Sequence, residues 1–173
     1  MSCSWINDLA VNAGGGVLAA IAIGVFAYIR ARVPDISGVW TMTVTVRESD
    51  RNPFKGMKLT YIVMLAQRGG AVSGNAEKVY EVSIINPCGY HYQKSARMQS
   101  DISGGVLGNV FQSKNFQLLF KESGLHRPYI STVNLRVAHA TLLVGTYQST
   151  AANSSGTISM TKRVALYGYS FKP

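Results

Sequence analysis

The sequence predicts an all-β protein with an N-terminal transmembrane helix, its strands forming an antiparallel closed β-barrel of about eight strands. Three observations predict it. Apolar and polar residues alternate with period two in one segment after another from Ser37 to Val164. No strongly amphipathic helical stretch separates these segments, so crossover helices have no place in the sheet. Ahead of them lies a 21-residue stretch without a charge, residues 9–29. A chain of 173 residues holds one ordinary domain and a small addition. Its 14% of charged residues and mean hydropathy of +0.10 are too apolar for disorder.

The addition comes first. LAVNAGGGVLAAIAIGVFAYI, bounded by Asp8 and by Arg30 and Arg32, is long enough at about 1.5 Å per residue to cross a hydrocarbon core about 30 Å thick. A cleaved signal peptide requires a positive start and a small-residue cleavage site. Here the start is neutral to acidic and the run ends in Tyr28 and Ile29. A signal peptide and a buried core helix are the alternatives to a retained anchor. All 17 basic residues lie at or beyond Arg30, so the positive-inside rule places the N-terminus outside and the remainder in the cytoplasm. Gly16, Ala20 and Gly24 recur every four residues, a spacing that suits helix association in lipid. Residues 1–33 are therefore assigned to the membrane segment and 34–173 to a cytoplasmic barrel.

After Pro34 the strands begin. In residues 37–47, Trp40, Met42, Val44 and Val46 share one face and three threonines the other. Residues 57–67 repeat the pattern with Met57, Leu59, Tyr61, Val63 and Leu65, and Arg68-Gly69-Gly70 turns the chain. A strand over 72–85 stops at the turn cluster Asn86-Pro87-Cys88-Gly89. Residues 92–102 form a weaker strand ended by Ser103-Gly104-Gly105. Residues 106–122 read either as strand, from the alternation of Phe116, Leu118 and Phe120, or as short helix or loop. Clean alternation resumes over 127–137, 141–148 and 157–164, the last two separated by an eight-residue polar connection. Closure follows because an open sheet of this size exposes a wide apolar face, and eight strands make a barrel that holds side chains or one small ligand.

The same residues argue against catalysis. His91, His126 and His139 are not spaced as metal ligands, and Cys3 and Cys88 support neither a zinc site nor a disulfide framework. The glycine-rich pieces do not join a strand to a helix, which removes a phosphate loop. Seven acidic residues follow Arg30, too few to make a carboxylate pair easy to assemble. No enzyme, metal or cofactor is expected. Parity instead sends a cation and phenols inward: Lys78 and Tyr80 with Val72, Val82 and Ile84; Lys94 with Ala96, Met98 and Ile102; Tyr61 and Tyr147 on the apolar faces of their strands. Arg97 and Arg136 fall outward. Ammonium groups meet phosphate and rings stack on bases, so Tyr61, Lys78, Tyr80, Lys94 and Tyr147 are the candidate ligand-binding residues. The dispersed basic residues carry no DNA- or RNA-binding signature, and the excess of ten positive charges from Arg30 onward suits an anionic leaflet.

Two resemblances follow. Gly38-Val39-Trp40 opening the first strand, with Lys162 or Arg163 near the end of the last, resembles lipocalin and avidin-like barrels. In those a first-strand Trp closes one end beneath a basic residue; parity here favours Lys162. A membrane segment leading into a barrel that begins I-S-G-V-W (36–40), with L-L-V-G-T-Y (142–147) and G-T-I-S-M-T-K-R (156–163), is similar to the transmembrane β-barrel effectors of CBASS antiphage systems. That resemblance implies a cyclic dinucleotide as activating ligand, homo-oligomerisation, and disruption of the inner membrane. This chain offers one membrane helix where those effectors commonly carry two. The alternative is a lipocalin-like, membrane-anchored barrel that carries an apolar small molecule or serves a structural role.

Overall fold

The structure, a computed structural model, describes residues 20–26, 33–93, 97–108, 115–123 and 128–163. Nine strands lie among them: β1 (Gly38–Glu48), β2 (Lys58–Arg68), β3 (Ala71–Val82), β4 (Tyr90–His91), β5 (Gln99–Leu107), β6 (Asn115–Ser123), β7 (Pro128–His139), β8 (Leu142–Ser149) and β9 (Ser154–Lys162). The eight long strands pair antiparallel in chain order from β1 to β9, and β1 also pairs with β9. The ring is a closed eight-stranded barrel. Two-residue β4 prolongs the sheet where β3 outruns β5, setting His91 opposite Tyr80 and Tyr90 opposite Glu81. Closure by neighbours alone leaves no long edge open.

Several predicted boundaries shift. β3 ends at Val82, short of the expected Ile85. β5 runs through Ser103-Gly104-Gly105 instead of stopping there. A Cβ on Gly104 would strike the Gln117 carbonyl, so glycine here marks close strand approach inside a sheet. Of the ambiguous stretch, Asn115–Ser123 is a regular strand with alternating burial. The polar connection before β9 contracts to a tight turn in which Ala152 and Asn153 take left-handed φ values of 52° and 45°.

The predicted membrane span falls largely outside the described residues, as do Arg30 and Arg32. Residues 20–26 are helical, and Ile21, Ile23, Val25 and Phe26 are exposed on them. Among the described residues no helix is long and apolar enough to cross a membrane.

The inward faces carry the core. Trp40, Val63, Phe116, Leu118, Leu135, Leu143 and Met160 are essentially inaccessible, each contributing on the order of 1.5–3 kcal/mol through burial. They fill one end. The chain enters across it, held by Gln67: its Oε1 accepts from the Ile36 amide at 2.9 Å and its Nε2 donates to the Pro34 carbonyl at 3.1 Å. Trp40 plugs this end, its Nε1 donating to the Ile36 carbonyl at 2.9 Å. Lys162 pairs directly opposite in the β1–β9 register, its Nζ 5.4 Å from the ring centroid. The expected first-strand Trp with its basic cover is therefore present, with Lys162 in that place; Arg163 turns outward to donate to Thr41 Oγ1 at 2.9 Å.

Candidate functional site

The other end is open. A cavity of about 420 Å³ runs inward from the loops that follow β1, β3 and β8. Its deep wall is apolar, with Met42, Val44, Leu59, Phe120, Val133 and Ile158; Phe54, Met57 and Arg51 rim it.

One side of the cavity is polar. Glu122, next to the last residue of β6, faces inward and is 4% exposed. Its Oε2 accepts hydrogen bonds from the Tyr61 hydroxyl and the Ser100 hydroxyl, each at 3.3 Å. Lys78 Nζ stands 3.7 Å from Glu122 Oε1 and 3.6 Å from Glu81 Oε2, and 5.0 Å from the centroid of the Tyr92 ring. Both charge contacts are longer than hydrogen bonds, and among the described residues Glu122 Oε1 has no hydrogen-bond partner. Across the cavity the buried Tyr147 hydroxyl also lacks one.

Burial and carboxylates together keep the phenols protonated. Burial pushes Tyr61 well above the ordinary tyrosine range and the Glu122 charge pushes it further. Tyr129 is raised by the same two causes in the same order. Tyr92 is raised by burial and then by its contact with Glu81. Burial raises Tyr147 too, tempered by the neighbouring Ser154 hydroxyl. The cluster is thus a set of neutral O–H groups around two carboxylates and one ammonium.

The structure brings Tyr61, Lys78 and Tyr147 to the cavity. Lys94 lies outside the described residues. Tyr80 does not face inward. In the β2–β3 register Tyr61 pairs with Lys78 and Thr60 with Tyr80, so Val79 has no partner and forms a β-bulge. The extra residue reverses parity: Tyr80 turns outward against His91, ring centroids 4.5 Å apart, Val82 follows it, and Glu81 turns in. Arg97 and Arg136 are outward as expected, Arg97 pairing with Glu77 at 3.0 Å.

Glu81 and Glu122 were not anticipated here, and they overturn the expectation that carboxylates would be hard to bring together. Glu122 shares parity with Phe116, Leu118 and Phe120, a signal visible in the sequence once 115–123 is read as strand. Glu81 carries no such signal, because the bulge hides it. Among the described residues no group of three or more His, Cys, Asp or Glu is placed to hold a metal ion.

No family model matches the sequence, and no curated protein does. Solved structures match its fold. A redesigned β-barrel superposes with a TM-score of 0.51 at 12% identity, over 75% of this chain and 92% of that one. A de novo designed fluorescence-activating β-barrel gives 0.50 at 9%, over 74% and 94%. A third barrel, EF1p2_mFAP2b bound to DFHBI, gives 0.51 at 8%, over 74% and 94%. The fold is a closed eight-stranded antiparallel barrel, the architecture these designed barrels share. At these identities the likeness concerns the backbone architecture.

Proposed function

We propose that this protein is a small-molecule-binding barrel, a carrier rather than an enzyme, and that its ligand is a largely apolar molecule entering through the open end. One observation carries this reading: an apolar-walled cavity of about 420 Å³ lined in part by the side chains of Glu122 and Tyr147, each of which has a buried polar atom, Oε1 and Oη, without a hydrogen-bond partner among the described residues. Protein interiors are close-packed, and a cavity left inside one forgoes stability. Small-molecule sites have this size and this mixture of apolar wall and a few polar groups.

The test is thermal denaturation of the full chain with 4-phenylbutan-1-ol, a neutral apolar probe. Binding raises the midpoint in a concentration-dependent way, by about 2.7 kcal/mol of stability at a hundredfold excess over Kd. No shift up to the solubility limit would remove the reading.

The second reading is a membrane-anchored antiphage effector whose barrel binds a cyclic dinucleotide, oligomerises and disrupts the membrane. What favours it is the placing of Lys78 and Arg51 with the rings of Tyr92 and Phe54 at one mouth. Against it, the Lys78 ammonium is already engaged by Glu81 and Glu122, so phosphodiester anions must compete with two carboxylates. Titration of cyclic dinucleotides into the full chain, followed by calorimetry and light scattering, separates the two. This second reading requires binding with growth in mass, and loss of both in Lys78→Met.

A further inference from the structure

The pole of the cavity has a charge opposite to that of the chain. The protein as a whole carries +9, yet the buried cluster sets two carboxylates against a single ammonium, and Lys78 reaches neither at hydrogen-bonding distance. Glu122 is the more demanding partner: 4% exposed, with Oε2 satisfied by Tyr61 and Ser100 and Oε1 without a donor. A buried carboxylate oxygen without a donor is costly. The ring of Tyr92 already accepts a cation on its face from Lys78, and Tyr61 and Tyr129 complete an aromatic wall beside Glu122. The Tyr147 side chain lines the same cavity beside Ser154. A donor missing at Glu122, net negative charge, and cation-accepting rings are jointly satisfied by one kind of group.

We propose that the ligand carries a protonated nitrogen on an apolar body, the nitrogen docking at Glu122 Oε1 and the body lying along the Met42, Val44 and Ile158 wall. This rests on the carrier reading above and specifies its ligand class. A protonated amine supplies the N–H donor that Glu122 lacks and balances the second carboxylate. A carboxylate ligand adds a third negative charge beside the one ammonium of the inner cluster, with the Arg51 cation out at the rim. A neutral alcohol can donate but leaves the charge uncompensated.

Three probes that share one body decide it: 4-phenylbutylamine, 4-phenylbutan-1-ol and 4-phenylbutyrate, titrated calorimetrically into the full chain near neutral pH. The amine is expected to bind at least about tenfold more tightly than the alcohol, and the acid more weakly than either, as a charge-assisted hydrogen bond in a buried site implies. Glu122→Gln keeps the shape and removes the charge, and should bring the amine to the affinity of the alcohol. Lys78→Met removes the competing internal cation and should tighten amine binding several-fold. If the alcohol binds and the amine binds no better, or the acid equals the amine, the charge assignment is wrong while the carrier reading stands. Should none of the three bind, both fail. The comparison on the unaltered protein decides the matter even if a variant does not fold.

Discussion

Lys78 and Glu81 are three residues apart on one strand and yet face the same cavity, Nζ to Oε2 at 3.6 Å. In a regular strand an odd separation puts side chains on opposite faces. The Val79 bulge supplies the extra residue that reverses the face, so one irregularity in β3 converts a Lys and Tyr lining into a Lys and Glu one. The polar character of the cavity follows from that bulge.

The buried charges should be energetically coupled. Lys78→Met leaves Glu81 and Glu122 without their cation and is expected to cost about 3 kcal/mol, the low end for breaking a buried pair because the cavity opens to water. Adding Glu122→Gln should recover at least about 1 kcal/mol of that loss, measured by chemical denaturation of both single variants, the double variant and the parent. Strictly additive losses would show that the two groups do not interact.

High pH should unfold the barrel through its phenols. Tyr61 is raised in the folded state above the ordinary value near 10. The unfolded state therefore releases its proton first as pH rises past about 10, and stability intact below that pH is lost above it. Tyr61 alone contributes a loss of up to about 1.4 kcal/mol per pH unit. Tyrosinate absorbance should rise together with loss of far-ultraviolet signal, and Tyr61→Phe should flatten the alkaline limb. Titration of Tyr61 in the folded barrel near pH 10 would contradict its environment.

At the closed end the two partners should differ sharply in weight. Trp40→Ala removes a fully buried ring and its hydrogen bond to Ile36, with an expected cost of about 3–5 kcal/mol. Lys162→Gln removes a partly exposed cation from the ring face, with an expected cost of about 0.5–1 kcal/mol. Denaturant midpoints compare them. Equal losses would mean that Lys162 holds the end together by more than its charge.

The site was only partly legible beforehand. Tyr61, Lys78 and Tyr147 follow from alternation in segments whose register is regular up to those residues. Tyr80 fails because it lies one residue past the bulge. Glu122 was within reach of the same parity rule, and was missed where glycines and polar residues before Phe116 obscured the strand. His91 illustrates a different gap: it lies in a two-residue strand, too short for any periodicity to appear.

What the sequence determined by itself was the architecture. Alternation in many short segments dictates which face of each strand is apolar, and eight such faces without helices to cover them close on themselves. The resemblance to lipocalin and avidin-like barrels also implied a basic partner for Trp40 at one end, and the parity of a regular last strand chose Lys162 over Arg163. Only the tertiary structure decided the charge of the cavity. Which side chains converge there depends on register between strands distant in the chain, from β2 to β6, and on one bulge in β3, and a register is fixed by hydrogen bonds between strands that no local pattern encodes. For that reason a chain rich in lysine and arginine folds around one buried and one half-buried glutamate.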